Sequence, residues 1–163
     1  MNVEIIPFRQ EYAIDFKNLN IEWLERFFVV EPHDHDVLLH CKENIIDKGG
    51  AIFFARLNNV IVGCFALMKI ESGVFELTKM AVSPNYRGHK IGQKLLQFCI
   101  SHAKEQTFKK VVLYSSTKLE NAIYLYRKYG FKEVPLEKDN PYMRADIKME
   151  LDVALYPTNH LNR

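Results

Sequence analysis

With 163 residues and 48% hydrophobic side chains, the chain has the length of a single domain and enough apolar material for a substantial core. Its 22 basic and 20 acidic residues leave a net charge of +2, which excludes the electrostatic footprint of a protein that binds nucleic acid or an anionic membrane. No apolar run approaches a membrane span, and Met1-Asn2-Val3-Glu4 lacks the basic start and apolar core of a signal peptide, so a cytoplasmic location is expected. Cys41, Cys64 and Cys99 are odd in number and lack CxxC spacing, so buried, reduced thiols are expected.

In chain order, Val3 to Phe8 reads as a first strand ending at Pro7, and Gln10 to Phe28 as a helix carrying Tyr12, Phe16, Leu19, Trp23 and Phe27 at helical spacing. Pro32 marks a break, after which Asp34 is expected to cap a second helix running to about Ile46 and closed by Gly49-Gly50. Strands Ala51 to Leu57 and Val60 to Ile70 flank Asn58-Asn59, a hairpin-turn signal, and a third strand covers Val74 to Val82. An amphipathic helix then carries Ile91, Leu95, Leu96, Cys99, Ile100 and Ala103. It is followed by a strand Lys110 to Tyr114, a helix Leu119 to Tyr129, and strands near Phe131 and over Ala145 to Leu151. One domain over residues 1–163 follows, with its core at about 2–152 and a polar tail over 154–163 that is expected to fray from Tyr156.

The segment Met80-Ala81-Val82-Ser83-Pro84-Asn85-Tyr86-Arg87-Gly88-His89-Lys90-Ile91-Gly92 takes the chain from an apolar strand into a helix through an arginine and two glycines. The first N–H groups of a helix have no partner within it and lie at the positive end of the macrodipole, so such a turn can cradle a pyrophosphate. A dinucleotide fingerprint would need three glycines and a later acidic residue, and a P-loop would need Gly-Lys-Ser/Thr; neither is present. The segment resembles the acyl-CoA-binding motif of the GNAT superfamily of N-acetyltransferases. Arg87 and Gly92 match its first and last places, and Lys90 stands where the middle glycine usually is.

Asn121-Ala122-Ile123-Tyr124-Leu125-Tyr126-Arg127-Lys128-Tyr129-Gly130-Phe131 is similar to the later GNAT helix and its Gly-Phe strand start, with Gly130 a sensible helix C-cap. The resemblance covers residues 2 to 152. It implies a mixed α/β fold whose central, mostly antiparallel sheet is flanked by helices, and acetyl-CoA as acetyl donor, with no metal. It also implies a coenzyme site formed by Ala81, Val82, Arg87, Gly88, His89, Lys90, Ile91 and Gly92, with Asn121 nearby but out of the family's register. The Val82 N–H is the implied oxyanion donor, and Tyr126, five residues before Phe131, is the implied acid for the departing thiolate.

Amine attack on a thioester needs a proton acceptor, and Glu76 is the best candidate base. Alternation puts Glu76, Thr78, Met80 and Val82 on one face unless a bulge intervenes, and a carboxylate among apolar neighbours has a raised pKa. Glu76 read otherwise is a solvated strand residue. His33-Asp34-His35-Asp36 is read as a helix cap and solvated first turn in preference to a metal site. Trp23 is either core or part of the acceptor cleft. Arg144, at a strand start, either pairs with Asp146 on an exposed edge or holds an acceptor carboxylate bidentately.

The expected function is acetyl transfer from acetyl-CoA to a primary amine by direct attack in a ternary complex. An amino acid or related small molecule is the first choice of acceptor, and a peptide N-terminus or lysine the second. A non-catalytic acyl-CoA sensor is the reading from a different class, and a homodimer is a possible assembly.

Overall fold

The computed structural model describes residues 2–157. Seven strands form one sheet in the order β1-β2-β3-β4-β5-β7-β6: β1 Glu4–Pro7, β2 Ala51–Leu57, β3 Val60–Glu71, β4 Val74–Val82, β5 Lys110–Ser115, β6 Lys132–Val134 and β7 Ile147–Asp152. Every neighbouring pair is antiparallel except β4 and β5. The Asn58-Asn59 hairpin forms as the sequence indicates: both residues have positive φ and Leu57 pairs with Val60, the two-residue loop that suits sheet twist.

The central strands are apolar on both faces because both faces are covered. On β2, Ile52 and Phe54 join one core with Phe16 and Leu24 of helix α1 (Ala13–Phe27) and Val37 and Leu38 of α2 (Pro32–Leu39). Phe53, Ala55 and Leu57 join the other with Leu95, Leu96, Cys99 and Ile100 of α3 (Ile91–Glu105). Ile123, Leu125 and Tyr126 of helix α4 (Glu120–Lys128) lie against that second core. All three cysteines are buried and unpaired, and burial pushes the thiols of Cys64 and Cys99 up to about 12.

Three expectations are corrected. The first helix starts at Ala13, behind a 3₁₀ turn at Gln10–Tyr12. The second starts earlier and splits: Pro32 is its first helical residue, as a fixed φ suits, and Glu31 rather than Asp34 is its N-cap. Asp34 caps backwards from the third position, accepting the Glu31 N–H at 3.0 Å. The helix breaks at His40, and Lys42–Ile46 is a π-helical turn closed by Asp47 N–H to Lys42 O at 2.8 Å. Lastly, Tyr156 is buried against the α3 core after a 3₁₀ turn at Val153–Leu155, so the ordered chain outlasts the expected fraying point; the rest of that tail, residues 158–163, lies outside the described residues.

Candidate active site

β4 and β5 pair only from Val74 to Glu76 against Lys110 to Val112, and beyond that point they part. The gap is a cleft of about 590 Å³, walled by the ends of β4 and β5, the C-terminal half of α1 and the start of α4. A bulge sets the geometry of the β4 wall. Cys64 pairs with Ala81 and Ala66 with Thr78, so Lys79 and Met80 together oppose Phe65, and Lys79 takes φ +57°. Downstream of the bulge, Ser83 N–H donates to Val62 O at 2.8 Å. By strand alternation the Val82 N–H therefore points away from β3 and towards the cleft.

From Val82 the chain runs through a 3₁₀ turn at Pro84–Tyr86 into α3. Lys90, at the place of the motif's middle glycine, is the N-cap of α3 and adopts φ +61°, the left-handed backbone that glycine favours. No side chain caps α3, and the first N–H bonded back to Lys90 O is that of Lys94. The N–H groups of Ile91, Gly92 and Gln93 are thus the unpartnered start of the helix. A Cβ built on Gly92 would meet only Val82 Cγ2, at 4.0 Å, so the glycine faces open space in the cleft. Gly88, at φ +88°, His89 and Lys90 are exposed, whereas the Ile91 side chain is buried in the core and leaves only its backbone to the site. Arg87 lines the cleft, held by Glu22 of α1 at 3.2 Å and lying over the Phe27 ring.

The opposite wall is α4. Its end is a Schellman motif: Gly130 at φ +95°, Phe131 N–H to Tyr126 O at 3.0 Å and Gly130 N–H to Arg127 O at 3.0 Å. The ring contact that accompanies it joins Tyr126 to Phe131 at 5.8 Å and anchors Tyr126 where it lines the cleft. Burial pushes its phenol up to about 12, so it is a neutral O–H donor at physiological pH. Asn121 is exposed on the same wall.

The bulge reverses the expected alternation. Met80 and Val82 pack with the α3 core, while Glu76 and Thr78 face the α1–α2 side. Glu76 is buried with 7% exposure and does not line the cleft; its Oε2 accepts the Tyr142 hydroxyl at 2.7 Å. Burial raises its pKa against the opposing effects of the Tyr142 hydrogen bond and the Lys79 charge. Beside it, Lys79 Nζ donates to Asp34 Oδ1 at 2.9 Å, and Arg144 forks onto the same carboxylate at 2.7 and 2.9 Å while reaching Glu31 at 3.0 Å. Burial alone would raise the Asp34 pKa, but Arg144 and Lys79 outweigh it and hold the carboxyl well below its ordinary range.

Arg144 lines the cleft, but its fork is engaged by Asp34 and not turned towards Asp146, which instead accepts from Thr117. Asp34, read as part of a solvated first turn, is fully buried. Trp23 lines the cleft and packs on Phe27 and Phe28, at 5.3 and 5.6 Å between ring centroids. Sequence reasoning missed Tyr142, Lys79, Thr78 and Lys118. One signal was available: Lys79 falls in register with Phe75, Leu77 and Ala81, and a lysine on an apolar face is a reason to expect a bulge.

The model of the acetyltransferase (GNAT) family matches residues 17–131. The chain belongs to this family. It is 34% identical over 80 residues to the IAA acetyltransferase of Azospirillum brasilense, covering 48% of this chain and 52% of that protein. The chain spans between 35% and 52% of the length of several curated relatives it matches. A GNAT acetyltransferase structure from Staphylococcus aureus superposes with a TM-score of 0.82 at 24% identity, covering 93% of this chain and 99% of that one. A GNAT acetyltransferase from Elizabethkingia anophelis with acetyl-CoA bound gives 0.71 at 22% identity, over 93% and 98%. At those identities the likeness is one of fold.

Proposed function

We propose that this GNAT protein transfers an acetyl group from acetyl-CoA to a primary amine by direct attack in a ternary complex. One observation carries the reading: the uncapped start of α3, the outward Val82 N–H and the Tyr126 hydroxyl, which has no protein partner among the described residues, meet in a single cleft. The N–H groups of Ile91, Gly92 and Gln93 suit a pyrophosphate, with Arg87 and Lys90 adding positive charge and open space above Gly92 admitting the phosphate oxygens. Bound acetyl-CoA supplies the activated thioester. The Val82 N–H then faces the charge that develops on the carbonyl oxygen, and Glu76 is the final acceptor of the proton that the ammonium loses before attack. Tyr126 donates its proton to the departing sulfur and regains one from the second proton that the nitrogen loses as the amide forms.

A small amine or amino acid is the favoured acceptor, because Trp23, Phe28 and Tyr142 line the acceptor half with aromatic rings beside which one small acceptor can lie. With Arg144 committed to Asp34, the cation placed to meet an acceptor carboxylate is Lys118. It lies over the Phe28 ring at 4.0 Å, donates to Phe27 O at 2.7 Å and pairs with no carboxylate among the described residues. A peptide amine is the second reading, favoured by an exposed apolar rim in which Met143 is tied through its N–H to Glu31, two residues from exposed Val29.

The test is release of free coenzyme A thiol from acetyl-CoA by purified protein across three acceptors: amino acids, their decarboxylated counterparts, and peptides with a free N-terminus or lysine. Transfer to amino acids over decarboxylated counterparts supports the first reading, and transfer to peptides alone the second. Tight acetyl-CoA binding with no transfer to any of the three leaves a sensor and overturns the enzyme reading.

A further inference from the structure

Glu76 has no surface on the cleft, yet the proposed chemistry delivers a proton there. Tyr142 does line the cleft, and its hydroxyl donates to Glu76 Oε2 at 2.7 Å while its oxygen lies 3.1 Å from Thr78 Oγ1. With the phenolic proton directed at the carboxylate, Thr78 is the donor in the second contact, and one lone pair of the Tyr142 oxygen remains for a proton from the cleft. We propose that Tyr142 relays the proton of the acceptor ammonium from the cleft to Glu76. The inference rests on acetyl transfer to a primary amine.

In this step one N–H bond of the ammonium breaks as an O–H bond forms on Tyr142. The original Tyr142 O–H bond breaks and its proton passes to Glu76 Oε2. The amine becomes neutral, the carboxylate becomes a carboxylic acid, and the phenol is neutral before and after. Burial, then the Glu76 charge, raises the Tyr142 pKa, so a free tyrosinate is disfavoured and the two transfers are coupled. The groups around this pair are Thr78 and Lys79 of β4, His33 and Asp34 of α2, Tyr114 of β5, and Arg144. Lys79 and Arg144 approach the Tyr142 ring to 4.8 and 4.7 Å, and Asp34 takes hydrogen bonds from both, which blunts the pull of these cations on Glu76.

The experiment compares Tyr142→Phe, Glu76→Gln, the double variant and Thr78→Val, using the fastest acceptor found among phenethylamine, phenylalanine and a free-amine peptide. Tyr142→Phe is expected to lower kcat/KM on the order of 10²-fold at pH 7, with unchanged acetyl-CoA affinity, and to recover as pH rises and free amine accumulates. Glu76→Gln is expected to show the same profile, and the double variant to be no worse than either single one. In the free protein, carbon-13 NMR titration is expected to show the Glu76 pKa rising further in Tyr142→Phe, because a hydrogen bond to its charged form is gone. A wild-type pH profile for Tyr142→Phe, additive losses in the double variant, or the pH-dependent loss appearing in Thr78→Val instead overturns the relay. A wild type that binds acetyl-CoA and acetylates none of the three amines overturns acetyl transfer itself, a result distinct from an active enzyme indifferent to Tyr142.

Discussion

Lys79 Nζ stands 2.9 Å from Asp34 Oδ1 with both side chains withdrawn from solvent, and the left-handed backbone of Lys79 at the β4 bulge is what lets a strand lysine meet a helix carboxylate. Arg144 closes the group from the segment before β7, so one buried carboxylate ties α2, β4 and that segment together along the cleft. An isolated charge there would face a desolvation penalty of several kcal/mol.

Asp34→Asn is therefore expected to destabilise the fold by about 3–5 kcal/mol, roughly a 10 °C fall in Tm, by leaving buried Lys79 without a carboxylate and Arg144 with Glu31 alone. The pH dependence has a definite sign. Asp34 has a depressed pKa in the fold, so its contribution is present above the unfolded value of about 3.9 and is lost as pH falls through the folded one. Glu76 is raised, so its contribution is present below about 4.3 and is lost as pH rises through the folded value. Urea denaturation between pH 2 and 8 is expected to show the acid-side loss of wild type shrink in Asp34→Asn, and Glu76→Gln to be at least as stable as wild type at pH 7. An unchanged acid limb in Asp34→Asn would sink the first assignment.

Gly92→Val separates coenzyme binding from folding. The added Cβ meets only Val82 Cγ2 at 4.0 Å, so the free protein is expected to keep its Tm within a few degrees. The branched side chain fills the space in front of the α3 N–H groups, and acetyl-CoA affinity is expected to fall on the order of tenfold or more. Calorimetric titration that finds wild-type affinity in the folded variant would remove the phosphate cradle.

Lys90 sits at φ +61° with its side chain in solvent, a backbone that disfavours any side chain. Lys90→Gly is expected to stabilise the protein by about 1 kcal/mol, the relieved strain exceeding the added freedom of the unfolded chain. Chemical denaturation reads this directly, and a loss of stability would show that the lysine side chain holds the turn.

Tyr126→Phe keeps the ring contact with Phe131 and removes only the hydroxyl. Turnover is expected to drop on the order of 10²-fold with acetyl-CoA affinity unchanged, since the proton is needed when sulfur departs and not when the coenzyme binds. Equal turnover with both residues would assign the tyrosine to packing alone.

The sequence by itself determined what local periodicity and turn chemistry control. Apolar runs bounded by turn residues placed β2, β3 and β4, helical spacing from Ile91 to Ala103 placed α3, and Asn58-Asn59 and Gly130 ended elements through backbone conformations that few residues accept. The coenzyme turn was marked by its strand-to-helix arginine and glycines, and Tyr126 was singled out by the resemblance to the GNAT helix that ends at Gly130-Phe131. Only the tertiary structure decided the acceptor half. Tyr142 and Glu76 are 66 residues apart, and Lys79 and Asp34 are 45 apart. Tyr142 reaches Glu76 from the segment before β7, and Lys79 reaches Asp34 from one bulge in β4 that reverses the faces of Met80 and Val82 relative to Glu76; both are long-range choices that strand periodicity does not carry.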